Sequence, residues 1–350
     1  MIDLNWSKKK VLVTGGASFI GSHLVEKLVA LHADVVVADD LSSGKKEHLS
    51  KVQSEITLHV GDLRDRCFAD RCMKDTDMVF HLAASHGGRG YIAIHPAECS
   101  SNMVLDGVVF DSAYRAGVKK VCFASSACVY PRSLQSKGRN IGASDARILL
   151  SENMADAFIE GKAFADEEYG WSKLMGETAL KAYYKQYGMK GVSCRIFTAY
   201  GPRENESHAV VALIAKAFVE MDPYEVWGTG DQDRNFTFVE DTVEGIVRAT
   251  EKIDDASPIN IGTDQHITIK DLVQKIFEYT GFRPKETKFD ATKPEGVFSR
   301  AADLTMCRKL LEWEPKVPID IGLKKTIEWY YATKNKEDVR RHLDALLFER

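Results

Sequence analysis

Short apolar runs alternate with stretches of helical periodicity along the first half of the chain. Val11-Leu-Val13 leads into a turn holding Gly15, Gly16 and Gly21, and the apolar residues of Ser22–Val29 then recur at helical spacing. The pattern predicts a buried strand, a glycine turn and a helix. Asp34–Ala38 reads as the next strand and ends in Asp39; Ile56–Val60 alternates into Gly61-Asp62-Leu63. Asp77–His81 is another short strand, closed by the small residues of Leu82-Ala-Ala84, and His86-Gly-Gly-Arg-Gly-Tyr91 is a flexible loop. A helix is expected over Asn102–Gly117 and a strand over Lys120–Ser125. Strands alternating with helices predict an α/β fold, a doubly wound parallel sheet with right-handed crossovers. Ligands of such sheets bind beyond the C-terminal strand ends, where Asp39, Asp62, His81 and Ser125-Ser126 fall.

The rhythm breaks over 131–165, and Arg132–Arg147 reads as a polar surface excursion. A long helix from Asp166 to Tyr187 and a strand over Val192–Phe197 follow, then a loop at Gly201-Pro202 and a helix over Ala209–Glu220. Beyond these the strands are short and scattered, at Tyr224–Trp227, Phe236–Val239 and Ile259–Ile261. The expected organisation is a main sheet domain over 1–197, a smaller mixed α/β substrate lobe over 198–333 that returns some strands to the first, and a charged helical tail over 334–350.

Composition narrows the function. A 350-residue chain with 44% hydrophobic residues builds a large core, and a net charge of −4 without a basic stripe argues against nucleic acid as a main partner. No apolar run approaches membrane-spanning length, and no signal-peptide core is present at the N-terminus, so neither a membrane nor export is expected. Seven cysteines without a CxxC pair predict reduced thiols in a cytoplasmic protein. His81, His86 and His95 lack a matching ligand set, so no metal site is expected.

The glycine turn aims a helix N-terminus at whatever lies beyond it, a site for phosphate. Asp39, about twenty residues on, can accept hydrogen bonds from an adenosine ribose and repel a 2′-phosphate, which favours NAD over NADP. Asp40 is the alternative carboxylate for that position. Ser125-Ser-Ala-Cys-Val-Tyr-Pro131 ends a strand, and Tyr169 and Lys173 lie one turn apart on the following helix. The ammonium is expected to lower the phenol pKa, so that Tyr169 takes a proton from a sugar hydroxyl while Ser126 holds the same hydroxyl. A second Tyr-x3-Lys, Tyr330 to Lys334, has no serine strand before it and reads as a solvated helix face.

Taken together, Thr14–Gly21, Gly61-Asp62-Leu63, His81–Ala84, Ser125-Ser126, Tyr169-x3-Lys173, Tyr200-Gly-Pro202, Arg234–Asp241 and Asn260-Ile-Gly262 resemble the extended short-chain dehydrogenase/reductases of the nucleotide-sugar epimerase/dehydratase group, from about Lys10 to Trp329. The resemblance implies a homodimer that holds NAD and acts on a nucleoside-diphosphate sugar. It implies that Gly15, Ser18, Phe19, Ile20, Gly21, Leu63, Leu82, Ala83 and Ala84 surround NAD, with Asp62 near the adenine. It also implies that Tyr169, Lys173 and Ser126 are catalytic, that Arg234 meets the diphosphate, and that Gly87, Gly88, Arg89, Ser125 and Thr198 line the substrate site.

Within that group, His81–Ile92, Ser125–Pro131 and Pro294–Arg300 resemble the GDP-mannose 3,5-epimerases. By that likeness Cys128 is a catalytic cysteine and Arg300 a substrate-binding arginine. The implied reaction is oxidation at C4, proton exchange at C3 or C5 beside the ketone, and re-reduction. Cys128 then needs a positive neighbour to favour its thiolate; its other reading is a small packed residue at a strand end. Three positions depart. Ser18 replaces the middle glycine, Thr198 resembles the UDP-glucuronate 4-epimerases, and the loop Arg203–Ala209 lacks the lysine of the 3,5-epimerases, leaving His208 as its acid/base. Without a competent His208 the reading becomes C4 epimerisation. A dehydratase fits less well, since that subgroup carries Asp-Glu where this chain has Ala127-Cys128. A non-catalytic dinucleotide sensor commonly lacks the Tyr or the Lys, and both are present.

Overall fold

The computed structural model describes residues 5–136, 148–293 and 296–349. The end of the predicted excursion, 137–147, and Pro294-Glu295 lie outside them. In chain order the strands are β1 (Lys10–Thr14), β2 (Asp34–Asp39), β3 (Ile56–Val60), β4 (Met78–His81), β5 (Lys120–Ser126), β6 (Leu149–Leu150), β7 (Lys190–Ile196), β8 (Ala199–Tyr200), β9 (Tyr224–Trp227), β10 (Asp233–Arg234), β11 (Thr237–Phe238), β12 (Asp255–Ile261), β13 (Ile267–Thr268), β14 (Thr287–Asp290) and β15 (Ser299–Ala302).

Seven of them form one parallel sheet in the order β12-β7-β5-β4-β1-β2-β3. The sequence of connections reverses between β1 and β4, and a crevice opens there at the C-terminal strand ends. Alternation along β1 explains its unbroken apolar run. Val11 and Val13 join Leu24, Val25 and Leu28 in a core on one face of the sheet, while Leu12 joins Phe68, Phe110 and Leu180 on the other. The helices Asn102–Arg115 and Glu167–Tyr187 pack together over the second face.

The smaller lobe positions charge. β10 pairs in parallel with β15 so that Arg234 stands beside Arg300, and β6 and β13 complete that sheet. β9 pairs with β14, and β11 with β8. β12, from the C-terminal half, closes the edge of the main sheet.

The C-terminal helix, Lys336–Phe348, buries Val339, Leu343 and Leu347. It packs on the helix Arg89–Ile94 so closely that a Cβ on Gly90 would stand 3.1 Å from the Leu347 carbonyl. The tail is therefore a packed element. The expectation for Tyr330 and Lys334 is overturned. Tyr330 has no exposed surface and donates to Glu206 Oε1 at 2.9 Å, and Lys334 Nζ meets the same oxygen at 2.7 Å. Tyr330 sits on the inner face of the helix Ile319–Thr333, where the phenol reaches a buried carboxylate.

Candidate active site

The crevice is a cavity of about 1080 Å³ whose wall runs from the glycine turn to the C-terminal helix. Gly15 has φ +68°, and a Cβ there would fall 2.8 Å from the Ala83 amide nitrogen. Gly21 lies under the same turn, where a Cβ would meet the Gly15 carbonyl at 2.1 Å. Glycine is thus required for β1, its turn and the strand end at Leu82-Ala83 to close together. Ser18, Phe19 and Ile20 open the helix Phe19–Ala30 at the cavity wall, with Leu82 and Ala84 opposite. The Ser18 hydroxyl turns back to donate to the Gly15 carbonyl at 2.6 Å, which pins the turn.

Asp39 is buried and tied to this turn. Its carboxylate accepts from the Ala17 amide at 2.9 Å and from the Leu41 amide at 2.8 Å. Asp40 is exposed and accepts from the Ser42 amide, so Asp39 is the carboxylate at the turn. Asp62 lies off the cavity wall; Arg64 grips it at 2.7 Å and holds its carboxyl below the usual range. Leu63 is buried, also off that wall.

Tyr169, Lys173, Ser126 and Cys128 meet at the cavity floor. Lys173 is buried, with Nζ 4.8 Å from the Phe123 ring centre and 5.9 Å from that of Tyr169, and Nζ has no hydrogen-bond partner among the described residues. The expected lowering of the Tyr169 pKa is not what this enclosure gives. Burial, with the neighbouring Cys128, pushes the phenol well above its ordinary value despite the Ser126 hydroxyl, and burial pushes Lys173 down. Desolvation disfavours both charged forms more than the short separation favours them. Ser126 Oγ also accepts from the Cys128 amide at 3.1 Å. Ser125 lines the cavity, but its hydroxyl donates to Glu177, itself paired with Arg195 at 2.7 Å, which makes it a structural hydroxyl.

Cys128 has a positive neighbour. Arg300 Nη1 donates to Sγ at 3.3 Å, Nη2 reaches Asp166 at 3.1 Å, and Nε reaches Gln135 at 2.6 Å. Asp166 also receives Arg89 at 3.1 Å and Arg132 at 3.5 Å, and Glu167 takes the other ends of both arginines. Arg234 lines the same cavity, where burial and the charges of Arg300 and Arg89 push it down to about 10. Of these groups the guanidinium groups of Arg89, Arg234 and Arg300 and the carboxylate of Asp166 line the cavity, an excess of cations suited to an anion.

Another part of the wall comes from the loops around 86 and 203. Gly87, Gly88, Thr198 and His208 line it. Gly88 donates its amide to Ser207 Oγ at 3.0 Å, and a Cβ on it would overlap the Ser207 carbonyl at 1.6 Å. Burial pushes His208 down to about 4. His86, weighed in the sequence only as a metal ligand and a loop residue, has its ring centre 4.6 Å from that of Tyr169 and 5.1 Å from that of His208. Its signal was position, next to the glycines of a loop already marked. Asp166, Gln135 and Glu204 were also missed, since nothing local distinguishes a buried carboxylate or amide from a solvated one. Among the described residues no three potential metal ligands gather as a metal site.

The residues fit NAD. The turn needs glycine where a pyrophosphate would approach, Asp39 is fixed beside it, and the buried, unpartnered Lys173 Nζ supplies donors at the cavity floor. Among the described residues no helix is long and apolar enough to cross a membrane.

GDP-mannose 3,5-epimerase 1 of Oryza sativa is 32% identical to this chain over 339 residues, 94% of this chain and 84% of that protein. A UDP-N-acetyl-alpha-D-glucosaminuronate decarboxylase of Bacillus cytotoxicus is 29% identical, covering 94% and 99%. The structure of UDP-glucose 4-epimerase from Thermotoga maritima, solved with UDP-glucose, superposes with a TM-score of 0.80 at 28% identity, over 93% of this chain and 99% of that one. Residues 11–262 match the NAD dependent epimerase/dehydratase family, and with its glycine turn and Tyr169/Lys173 floor in place the chain belongs to that family, with NAD as its cofactor.

Proposed function

We propose that this protein epimerises a nucleoside-diphosphate sugar at C3 or C5 after oxidation at C4, as a GDP-mannose 3,5-epimerase does. The observation that carries the reading is the Arg300 guanidinium 3.3 Å from Cys128 Sγ, on the cavity floor that holds Tyr169. That contact puts a cation beside the sulfur, and a thiolate there would be a base for a proton made acidic by an adjacent ketone. The cofactor, when bound, accepts and returns hydride at C4. With the positive charge of the bound cofactor beside it to offset the burial that raises its phenol, Tyr169 would take the C4 hydroxyl proton, while Ser126 holds that hydroxyl and Lys173 supports the phenolate. Arg234, Arg89 and Arg300 receive the anionic part of the substrate. Asp39 sets the preference for NAD over NADP.

A second reading, C4 epimerisation, is favoured by the burial that holds His208 neutral and by the likeness to the T. maritima 4-epimerase. Incubation with GDP-mannose, UDP-glucose and UDP-glucuronate in heavy water separates the two. Deuterium at C3 or C5 with inversion there supports the first reading. Inversion at C4 with no solvent deuterium replaces it with the second. We also infer a homodimer through the helices Asn102–Arg115 and Glu167–Tyr187, which expose Met103, Val104, Trp171 and Met175. We further read 1–197 as the cofactor domain and 198–333 as mainly the substrate lobe.

A further inference from the structure

The loop that carries His208 holds two buried carboxylates, and the reaction as derived uses neither. Glu206 is satisfied by Tyr330 and Lys334. Glu204 is different. It is 3% exposed and lines the cavity; Oε1 lies 3.7 Å from His208 Nδ1, and Oε2 has no hydrogen-bond partner among the described residues. A carboxylate enclosed in this way, with the Gly201 backbone as its hydrogen-bond support, is costly, and a carboxylic acid costs less.

We propose that Glu204 and His208 form a proton-sharing pair, in which the Glu204 carboxyl resupplies the imidazole as His208 protonates the sugar carbon on the face opposite Cys128. The proposal rests on the C3/C5 reading above, and Glu204 is a positioning residue in it, acting only through His208. Burial raises the Glu204 carboxyl well above its ordinary range and lowers His208 to about 4, so the resting pair is a neutral acid beside a neutral imidazole. A neutral imidazole alone is a poor acid, whereas an adjacent carboxyl removes that defect.

The step balances. The ketone-flanking carbon loses its proton to the Cys128 thiolate and becomes an enolate. The Nε2–H bond of His208 breaks as the new C–H bond forms on the other face. The Glu204 O–H bond breaks as Nδ1–H forms, leaving a neutral imidazole and a carboxylate. Water then returns a proton to Glu204 and removes one from Cys128. No electrons are exchanged in this step.

The surroundings keep the pair isolated. His86 and then Tyr169 stack on one side of His208. Tyr200 faces Glu204 from the strand before the loop, and burial, with that carboxyl among its neighbours, raises its phenol. Arg203 turns away to Ser22 and Glu26 of the cofactor helix, and Lys334 is engaged by Glu206. His208 thus has Glu204 as the carboxylate within ion-pair distance.

The test has two arms. In NAD-loaded protein carrying 13C-carboxyl glutamate, NMR at neutral pH should show one protonated glutamate resonance that disappears in Glu204→Gln and shifts in His208→Gln. An ionised Glu204 at neutral pH, or one indifferent to His208→Gln, overturns the pair whatever the substrate proves to be. With GDP-mannose in heavy water, Glu204→Gln should lower inversion by about a hundredfold. C4 oxidation, read from the reduced-nicotinamide band, and exchange on the Cys128 face should persist, and Glu204→Asp should restore part of the inversion. Inversion in Glu204→Gln within about twofold of wild type overturns the relay. If wild-type protein puts no deuterium into GDP-mannose, the C3/C5 reading fails, and the first arm still decides the pair.

Discussion

Cys128 shows how much a single contact changes a residue's meaning. Its sequence context admits both a base and a packed strand end; the Arg300 contact at 3.3 Å favours the first. Cys128→Ala should leave C4 oxidation intact and reduce solvent exchange at C3 or C5 by about a hundredfold or more, measured by deuterium incorporation. Normal inversion by that variant would return Cys128 to a packing role. Tyr169→Phe should abolish hydride transfer while NAD still binds, because the ring contacts with His86 and Lys173 remain. Cofactor content and the reduced-nicotinamide band after substrate addition would check this; retained turnover would remove Tyr169 from the reaction. At this scale the glycines, Tyr169, Lys173 and Ser126 were legible because each sits in a spaced motif. Ser125 lines the cavity as expected, but the hold of Glu177 on its hydroxyl was not legible, because Glu177 lies fifty-two residues away. The Tyr169 pKa direction was misread because the sequence shows a lysine one turn away but not the enclosure that desolvates both groups.

At the scale of elements, the loops around 86 and 203 act as one piece because Gly88 packs on Ser207 without a side chain between them. Gly88→Ala should separate them and lower turnover strongly, while the main sheet and its thermal transition change little. Near-wild-type kcat and KM in that variant would disprove the coupling. Tyr330→Phe removes one of the two donors to buried Glu206 and should cost about 1–3 kcal/mol in urea unfolding, the usual penalty for a buried acceptor that loses a partner. Strand and helix order through the main sheet could be read from periodicity, since each crossover is local. The small lobe could not be read as well. Its strands of two to four residues carry too little pattern, and the pairing of β10 with β15 joins segments sixty-six residues apart. The same lack of long-range information made the C-terminal helix read as no more than a charged helical tail.

For the whole molecule, the partly buried histidines His23 and His208 contribute to the acid limit, and His48 acts in the same direction. Burial holds both His23 and His208 near 4, against 6.5 in an unfolded chain. Between those values the unfolded state binds more protons, so stability is present above about 6.5 and lost as pH falls toward 4. The expected slope is about 1.4 kcal/mol per pH unit for each group. Thermal unfolding across that window should flatten in part when His23→Gln is introduced; an unchanged slope would assign the loss elsewhere. The inferred dimer should appear as twice the chain mass by light scattering at micromolar concentration. Val104→Glu, on a residue 58% exposed, should shift it to monomer without unfolding the chain, and a wild-type monomer would defeat the inference.

The cavity wall joins the glycine turn after β1 to Leu347 in the C-terminal helix. During synthesis the main sheet can begin to assemble as its strands leave the ribosome, because domains form from the N-terminal side first. The wall cannot close until the helix carrying Leu347 has left the ribosome. A ribosome-stalled chain lacking the last helix would carry the glycine turn and the Tyr169 floor yet leave Gly90 and its neighbours without their packing partner. Binding competence therefore waits for the helix Lys336–Phe348, and a premature stop near residue 335 would leave the chamber incomplete.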